Sequence, residues 1–256
     1  MKNILAIIKK ELKHFFYSPL GYIIIAVFLF ISSFFFRDSL HSYLEMSIVA
    51  ENPMGEAQAL SINQMLFGSF LWVSALVLIF IVPIITMRIM AEERKTGTFE
   101  LLSTSPIRNY ELILGKFFSQ IIIFFVLMIF MSPYFISIYM IQKFALIPVF
   151  VGVLGYFLFG VSCLAVGFFF SSIFKNPIHA AISTLGMLLI LWISRWFGQI
   201  TEGIPGKMFS EVSIITHIDS FMKGIISVKD ISFFISFIFF MLLLANLYID
   251  SIRWRE

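Results

Sequence analysis

Hydrophobic positions along this chain neither alternate nor fall into one repeating stripe. They gather in six long runs, at about 20–36, 64–87, 113–141, 147–174, 178–197 and 231–249. Each is long enough, at about 1.5 Å rise per residue, to cross the roughly 30 Å hydrocarbon layer of a bilayer as a helix. The pattern predicts an all-α polytopic membrane protein with six transmembrane helices. No internal repeat is visible, and no polar segment is long enough to build its own core. Residues 1–256 therefore read as one membrane domain.

The segments between the runs have patterns of their own. In NILAIIKKELKHFFY (residues 3–17), Ile4, Ile8, Leu12, Phe15 and Phe16 fall on one helical face, with Lys9, Lys10 and Lys13 opposite. Such a helix lies along a bilayer surface, its lysines among lipid headgroups. Ser18 and Pro19 then break it, so residues 1–19 are expected to form an elbow helix. Residues 37–63 are polar and acidic, with short helical patches such as LHSYLEM. Within 198–230, Val212, Ile215, Ile218, Met222 and Ile225 recur at helical spacing in a stretch too short and polar to span. This predicts a re-entrant or interfacial helix before the sixth span. A seventh span is the competing assignment, and it would strand Arg253 and Arg255 on the outer side.

Charge orients the bundle. With the N-terminus inside, the inner segments hold Lys2, Lys9, Lys10, Lys13, Arg88, Arg94, Lys95, Arg108, Lys116, Lys175, Arg253 and Arg255. The outer segments hold Arg37, Lys143, Arg195, Lys207, Lys223 and Lys229. The bias follows the positive-inside rule and places both termini in the cytoplasm. Only 13% of residues are charged, against about 25% in a soluble domain. The net charge of +3 gives no basis for a nucleic-acid partner. Cys163 is the single cysteine, so no disulfide framework or cysteine metal site forms within one chain. The first run lacks a small-residue cleavage pattern and reads as a retained span.

Candidate chemistry is sparse. Intramembrane ionisable residues mark ion and proton pathways, and the span interiors hold almost none. Gln120, His179, Arg195 and Asn246 are the polar exceptions, and each is expected at a helix end among headgroups. A secondary transporter is thereby disfavoured. Metalloprotease and serine-hydrolase motifs are missing. The Leu114–Gly115–Lys116 triplet is no phosphate loop, because Tyr110 and Phe117 occupy the positions of the required glycine and hydroxyl. Gly160, Cys163, Gly167 and Ser171 share one helical face, as do His179, Ser183 and Gly186. Such faces let helices approach closely, either within one subunit or at a dimer seam or substrate path. Pro133 is expected to kink or end the third span.

One passage interrupts the apolar pattern: EERKTGTFELLSTSPIRNYELILGK, residues 92–116, with eight of the 33 charged residues. Gly97 breaks a helix. Thr98–Leu102 form a short turn with Phe99 and Leu102 on one face. Ser105–Pro106 begin the next helix as N-cap and first helical residue. A short apolar-faced helix between two spans either lies on the membrane or inserts into a groove on a cytoplasmic partner.

The passage resembles the signature of the membrane subunits of type-two ABC exporters. The matching residues are Glu92, Glu93, Gly97, Thr98, Glu100, Leu101, Leu102, Thr104, Pro106, Gly115 and Lys116. The stretch THIDSFMKGIISVKD is similar to that of the subset associated with gliding motility, nitrous-oxide-reductase maturation and sodium extrusion. The resemblance implies a permease subunit of the bacterial cytoplasmic membrane, paired with a second permease subunit and driven by a separate ABC ATPase. ATP and Mg would be bound by that ATPase, with no cofactor, metal or catalytic residue in this chain. It also implies a coupling helix within 92–112 that docks on the ATPase. Phe99, Leu101 and Leu102 would be its apolar knob, Glu92, Glu93, Arg94 and Glu100 its polar contacts or caps, and Gly97 and Thr98 its turn. The alternative is a non-transporting scaffold that passes ATPase-driven force to an extracytoplasmic protein, for which 37–63 and 198–230 are the candidate surfaces.

Overall fold

Ser18 bends the chain between its first two helices, its Oγ accepting the Leu20 N–H at 3.3 Å. The computed structural model describes residues 2–50, 63–98, 108–141, 145–200 and 203–253. The elements are α1 (Lys2–Tyr17), α2 (Pro19–Ala50), a π-helical turn (Asn63–Gly68), α3 (Ser69–Thr86), α4 (Ala91–Lys95), α5 (Asn109–Ile141), α6 (Leu146–Ile173), α7 (Pro177–Ile200), α8 (Ile204–Val212), α9 (Ile214–Met222) and α10 (Val228–Arg253). No strand occurs among the described residues. Among the described residues, six segments are long and apolar enough to cross a membrane: Pro19–Glu45, Leu66–Lys95, Asn109–Met140, Leu146–Ile173, Pro177–Ile200 and Val228–Ser251. The protein is a multi-pass membrane protein.

The spans are not equivalent. In the most apolar 18-residue stretch of each, 67% of the second and 72% of the fourth is buried, against 17–28% of the others. α3 and α6 are therefore the inner helices, and the rest present apolar side chains outward, as lipid-facing helices do. α6 touches α3, α5, α7, α9 and α10, and its small residues permit this. A Cβ on Gly167 would stand 2.2 Å from Thr86 Oγ1 of α3, one on Gly160 2.2 Å from Phe124 Cζ of α5, and one on Gly155 2.2 Å from Phe221 Cβ of α9. Cys163 is fully buried on the same helix.

Three expectations are corrected. The helix of the first span, α2, does not end near residue 36 but runs on to Ala50, because no glycine or proline falls between Gly21 and Pro53 to stop it. The 198–230 patch is two helices, since Ser213 is extended (φ −70°, ψ 119°) and separates α8 from α9. Ile215, Ile218 and Met222 are buried in α9, whereas Val212 and Ile225 lie outside it and are 53% and 58% exposed. Gln120 does not reach out to headgroups; it is fully buried, and both side-chain polar atoms lack a hydrogen-bond partner among the described residues. At Pro133, the site of the expected kink or end, the helix does not end: α5 runs from Asn109 to Ile141 with the proline inside it.

The end of the bundle away from α1 is tied by polar links. Arg195 of α7 pairs with Asp219 of α9 at 2.5 Å, and the Trp72 indole of α3 donates to the same carboxylate at 3.4 Å. His217 of α9 bridges to its neighbours, Nδ1 lying 2.7 Å from Asp230 of α10 and Nε2 3.1 Å from the Glu211 carbonyl of α8.

Candidate functional site at the base of the bundle

The charged passage enters the fold at the end of the bundle that carries α1. α3 closes at Thr86, and a tight turn over residues 87–90 leads into α4. The first N–H groups of a helix lack intrahelical partners. Here Ser171 of α6 supplies one: its Oγ accepts from the Met90 and Ala91 N–H groups at 3.1 and 3.3 Å and donates to the Met87 carbonyl at 3.2 Å. At the far end, Thr96 Oγ1 donates to the Glu92 carbonyl at 2.9 Å. Gly97 then turns the chain at φ +73°, a left-handed geometry that favours glycine. Thr98 follows, and Phe99, Glu100, Leu101 and Leu102 lie outside the described residues.

The passage returns at Arg108, whose N–H bonds Glu111 Oε2 at 3.4 Å, while Asn3 of α1 donates to the same oxygen at 3.1 Å. Asn109 donates to Asp250 of α10, which also accepts from Asn246 at 3.0 Å. Both roots of the passage are thus fixed to the bundle.

Lys116 is the centre of this site. Its side chain is 1% exposed, and its Nζ lies 2.9 Å from Glu11 Oε1 of α1, 2.9 Å from Glu93 Oε2 of α4 and 2.7 Å from the Ile89 carbonyl. Of the three N–H donors of the ammonium, two hydrogen-bond, to Glu11 and to the Ile89 carbonyl, while the Glu93 contact is an ion pair whose Oε2 has no hydrogen-bond partner among the described residues. Lys10 adds a fourth link, 3.1 Å from Glu93 Oε1. Gly115 completes the joint: a Cβ there would stand 2.9 Å from Ile7 Cγ2, so only glycine lets α1 lie this close to α5. Buried charge costs several kcal/mol per ion to desolvate, and this cluster offsets that cost by pairing.

Arg94 faces the opposite way. Its guanidinium donates to the Ile173 carbonyl at 2.8 Å and to that of Ser172, both at the last turn of α6. It also lies over the Tyr248 ring of α10, 5.6 Å from the centroid. Exposed helix-terminal carbonyls favour a cation. Two adjacent residues of α4 therefore hold four other helices: Glu93 holds α1 and α5, and Arg94 holds α6 and α10.

A family model described as ABC-2 family transporter protein matches residues 42–252. This chain belongs to the ABC-2 transporter family. Comparison with curated protein sequences finds no match. The ABC-2 protein is thus a permease component of an ABC transporter. Among the candidate residues of the sequence, Glu93 joins the Lys116 cluster and Arg94 joins the ends of α6 and α10. Glu92 instead lines a cavity beside α1, and Thr98 is exposed beyond the Gly97 turn. Gly160, Cys163, Gly167 and Ser171 pack within the chain, whereas Ser183 is half-buried and a Cβ on Gly186 would meet nothing within 4 Å. Sequence reasoning assigned no role to Glu11, Gly115, Lys116 or Tyr248. The available signal was a lysine at the start of an apolar run, directly after a glycine, with two carboxylates elsewhere on the same side of the membrane.

Proposed function

We propose that this ABC-2 permease is the membrane subunit of an ATP-driven exporter in the bacterial cytoplasmic membrane, working with a separate ABC ATPase and a second permease subunit. The observation that carries the proposal is the double attachment of α4. A short helix at the root of the 99–107 segment is bonded through Glu93 to α1 and α5 and through Arg94 to α6 and α10. A push delivered to that segment cannot stay local; it reaches an outer pair of helices and an inner one together. Phe99, Leu101 and Leu102 form the docking knob in this reading, with Glu100 beside them, and both termini lie on the ATPase side.

The test is co-purification from the native host in mild detergent. Wild-type chain should bring down a phosphate-loop ATPase, and a Phe99→Asp/Leu102→Asp variant should lose it while remaining monodisperse. Wild-type chain that brings down no such ATPase would overturn the proposal.

A second reading has its own observation. Ile204, Met208 and Val212 recur along α8 and are 77%, 65% and 53% exposed. That stripe suits a scaffold that carries ATPase-driven force to an extracytoplasmic protein, and ATP-coupled transport in vesicles distinguishes it from the exporter.

A further inference from the structure

Inside the bend between α1 and α2 lies a cavity of about 280 Å³ whose walls come from α1, α2, the α3–α4 turn and α5. One side is charged and the other apolar. Lys10, Glu11, Glu93 and Lys116 reach it but neutralise one another in the cluster above. His14, Arg88 and Glu92 also line it, and none of the three makes an ion pair among the described residues. The Glu92 N–H bonds the Arg88 carbonyl at 3.2 Å, so a cation and an anion without an ion pair among the described residues stand one helical turn apart, both on the cavity wall. Phe15, Ile24 and Ile84 form the apolar side.

The depth of the cavity points to its occupant. Tyr17 and Tyr22 flank the bend and are 83% and 62% exposed. Tyrosine gathers where headgroups meet hydrocarbon, which places the bend at that level. A pocket just under the ~300 Å³ lower end of ordinary ligand sites takes a headgroup and the first part of a chain, not a whole lipid.

We infer that this cavity binds one phospholipid with a zwitterionic amino-phosphate headgroup. The phosphate lies on Arg88 and His14, the ammonium on Glu92, and an acyl chain leaves past Ile24 and Ile84 into the bilayer. An anionic lipid lacking the amine satisfies Arg88 but leaves Glu92 facing a like charge, so it binds less well. The inference rests on the membrane-spanning fold and is independent of the ATPase reading.

The experiment uses the full chain in nanodiscs of equal phosphatidylethanolamine and phosphatidylglycerol. Retained lipid is counted by native mass spectrometry after transfer to mild detergent. Wild type should keep about one phosphatidylethanolamine per chain. Each of Arg88→Gln and Glu92→Gln removes a charged hydrogen bond and should lower that retention about tenfold or more. Ile24→Trp fills the apolar side without touching a charge and should also displace the lipid, which keeps the test usable should a charge variant fail to fold. Equal retention of both lipids, preferential retention of phosphatidylglycerol, or folded variants that bind like wild type would overturn the inference.

Discussion

Lys116 Nζ and Glu93 Oε2 meet at 2.9 Å in a site where the lysine is 1% exposed, although one lies near the start of a span and the other in the short helix that ends the preceding one. Glu11, from the N-terminal helix, approaches the same nitrogen. Removing one partner of a buried pair strands the remaining charge and costs about 3–5 kcal/mol. Lys116→Met should therefore lower the thermal midpoint of the purified protein strongly. Adding Glu11→Gln and Glu93→Gln to it should recover much of the loss. A triple variant less stable than the single would show that the cluster is not the reason Lys116 matters.

Glycines separate by what surrounds them. Gly167→Ala places a methyl group 2.2 Å from Thr86 Oγ1 between the two inner helices, whereas Gly186→Ala meets nothing within 4 Å. Overpacking of this kind costs about 1–3 kcal/mol, so the first variant should melt earlier and the second should match or exceed wild type, alanine being the better helix former. Thermal unfolding of the two side by side decides it; similar midpoints would contradict the packing described.

His217 and Asp230 form a second buried pair, 1% and 5% exposed, that fastens α9 to α10 at the other end of the bundle. Asp230→Ala leaves both ring nitrogens buried with only the Glu211 carbonyl to meet, and should cost about 1–3 kcal/mol. His217→Phe/Asp230→Leu should cost less than that single change. Hydrogen exchange should rise first in 204–222 for Asp230→Ala; faster exchange spread evenly over the chain would argue against a local clip.

Arg94 holds two carbonyls and an aromatic face at once, a fit for a planar guanidinium that an ammonium does not reproduce. Arg94→Lys should keep the ATPase bound, because the docking segment is intact, yet loosen α4 from α6 and α10. Limited proteolysis near Lys95 measures this, with faster cleavage expected in the variant and an unchanged rate counting against the attachment.

The six spans were legible because uninterrupted apolar runs have one stable solution in a bilayer, and Gly97 was legible because few residues other than glycine tolerate its backbone. The joint at Lys116 was not. A single lysine at the start of a span reads as a side chain reaching for headgroups, and its acceptors Glu11 and Glu93 come from distant stretches that only the fold brings together. Gln120 was misplaced for a similar reason: periodicity says which face a residue occupies, not whether another helix covers it. The division between α8 and α9 turns on the backbone of Ser213, a residue that helices also accept.

The central claim is that the 92–116 passage is where a separate ATPase meets this chain. Cys163 is the only cysteine and is fully buried, so one introduced cysteine gives a site-specific probe. Phe99→Cys and, at the opposite end of the bundle, Met208→Cys would each be coupled to a short photo-crosslinker in native membranes, and the adducts identified by mass spectrometry. A phosphate-loop ATPase attached at position 99 and absent at position 208 is the predicted result. No ATPase adduct at 99, or one at 208 instead, would contradict the account.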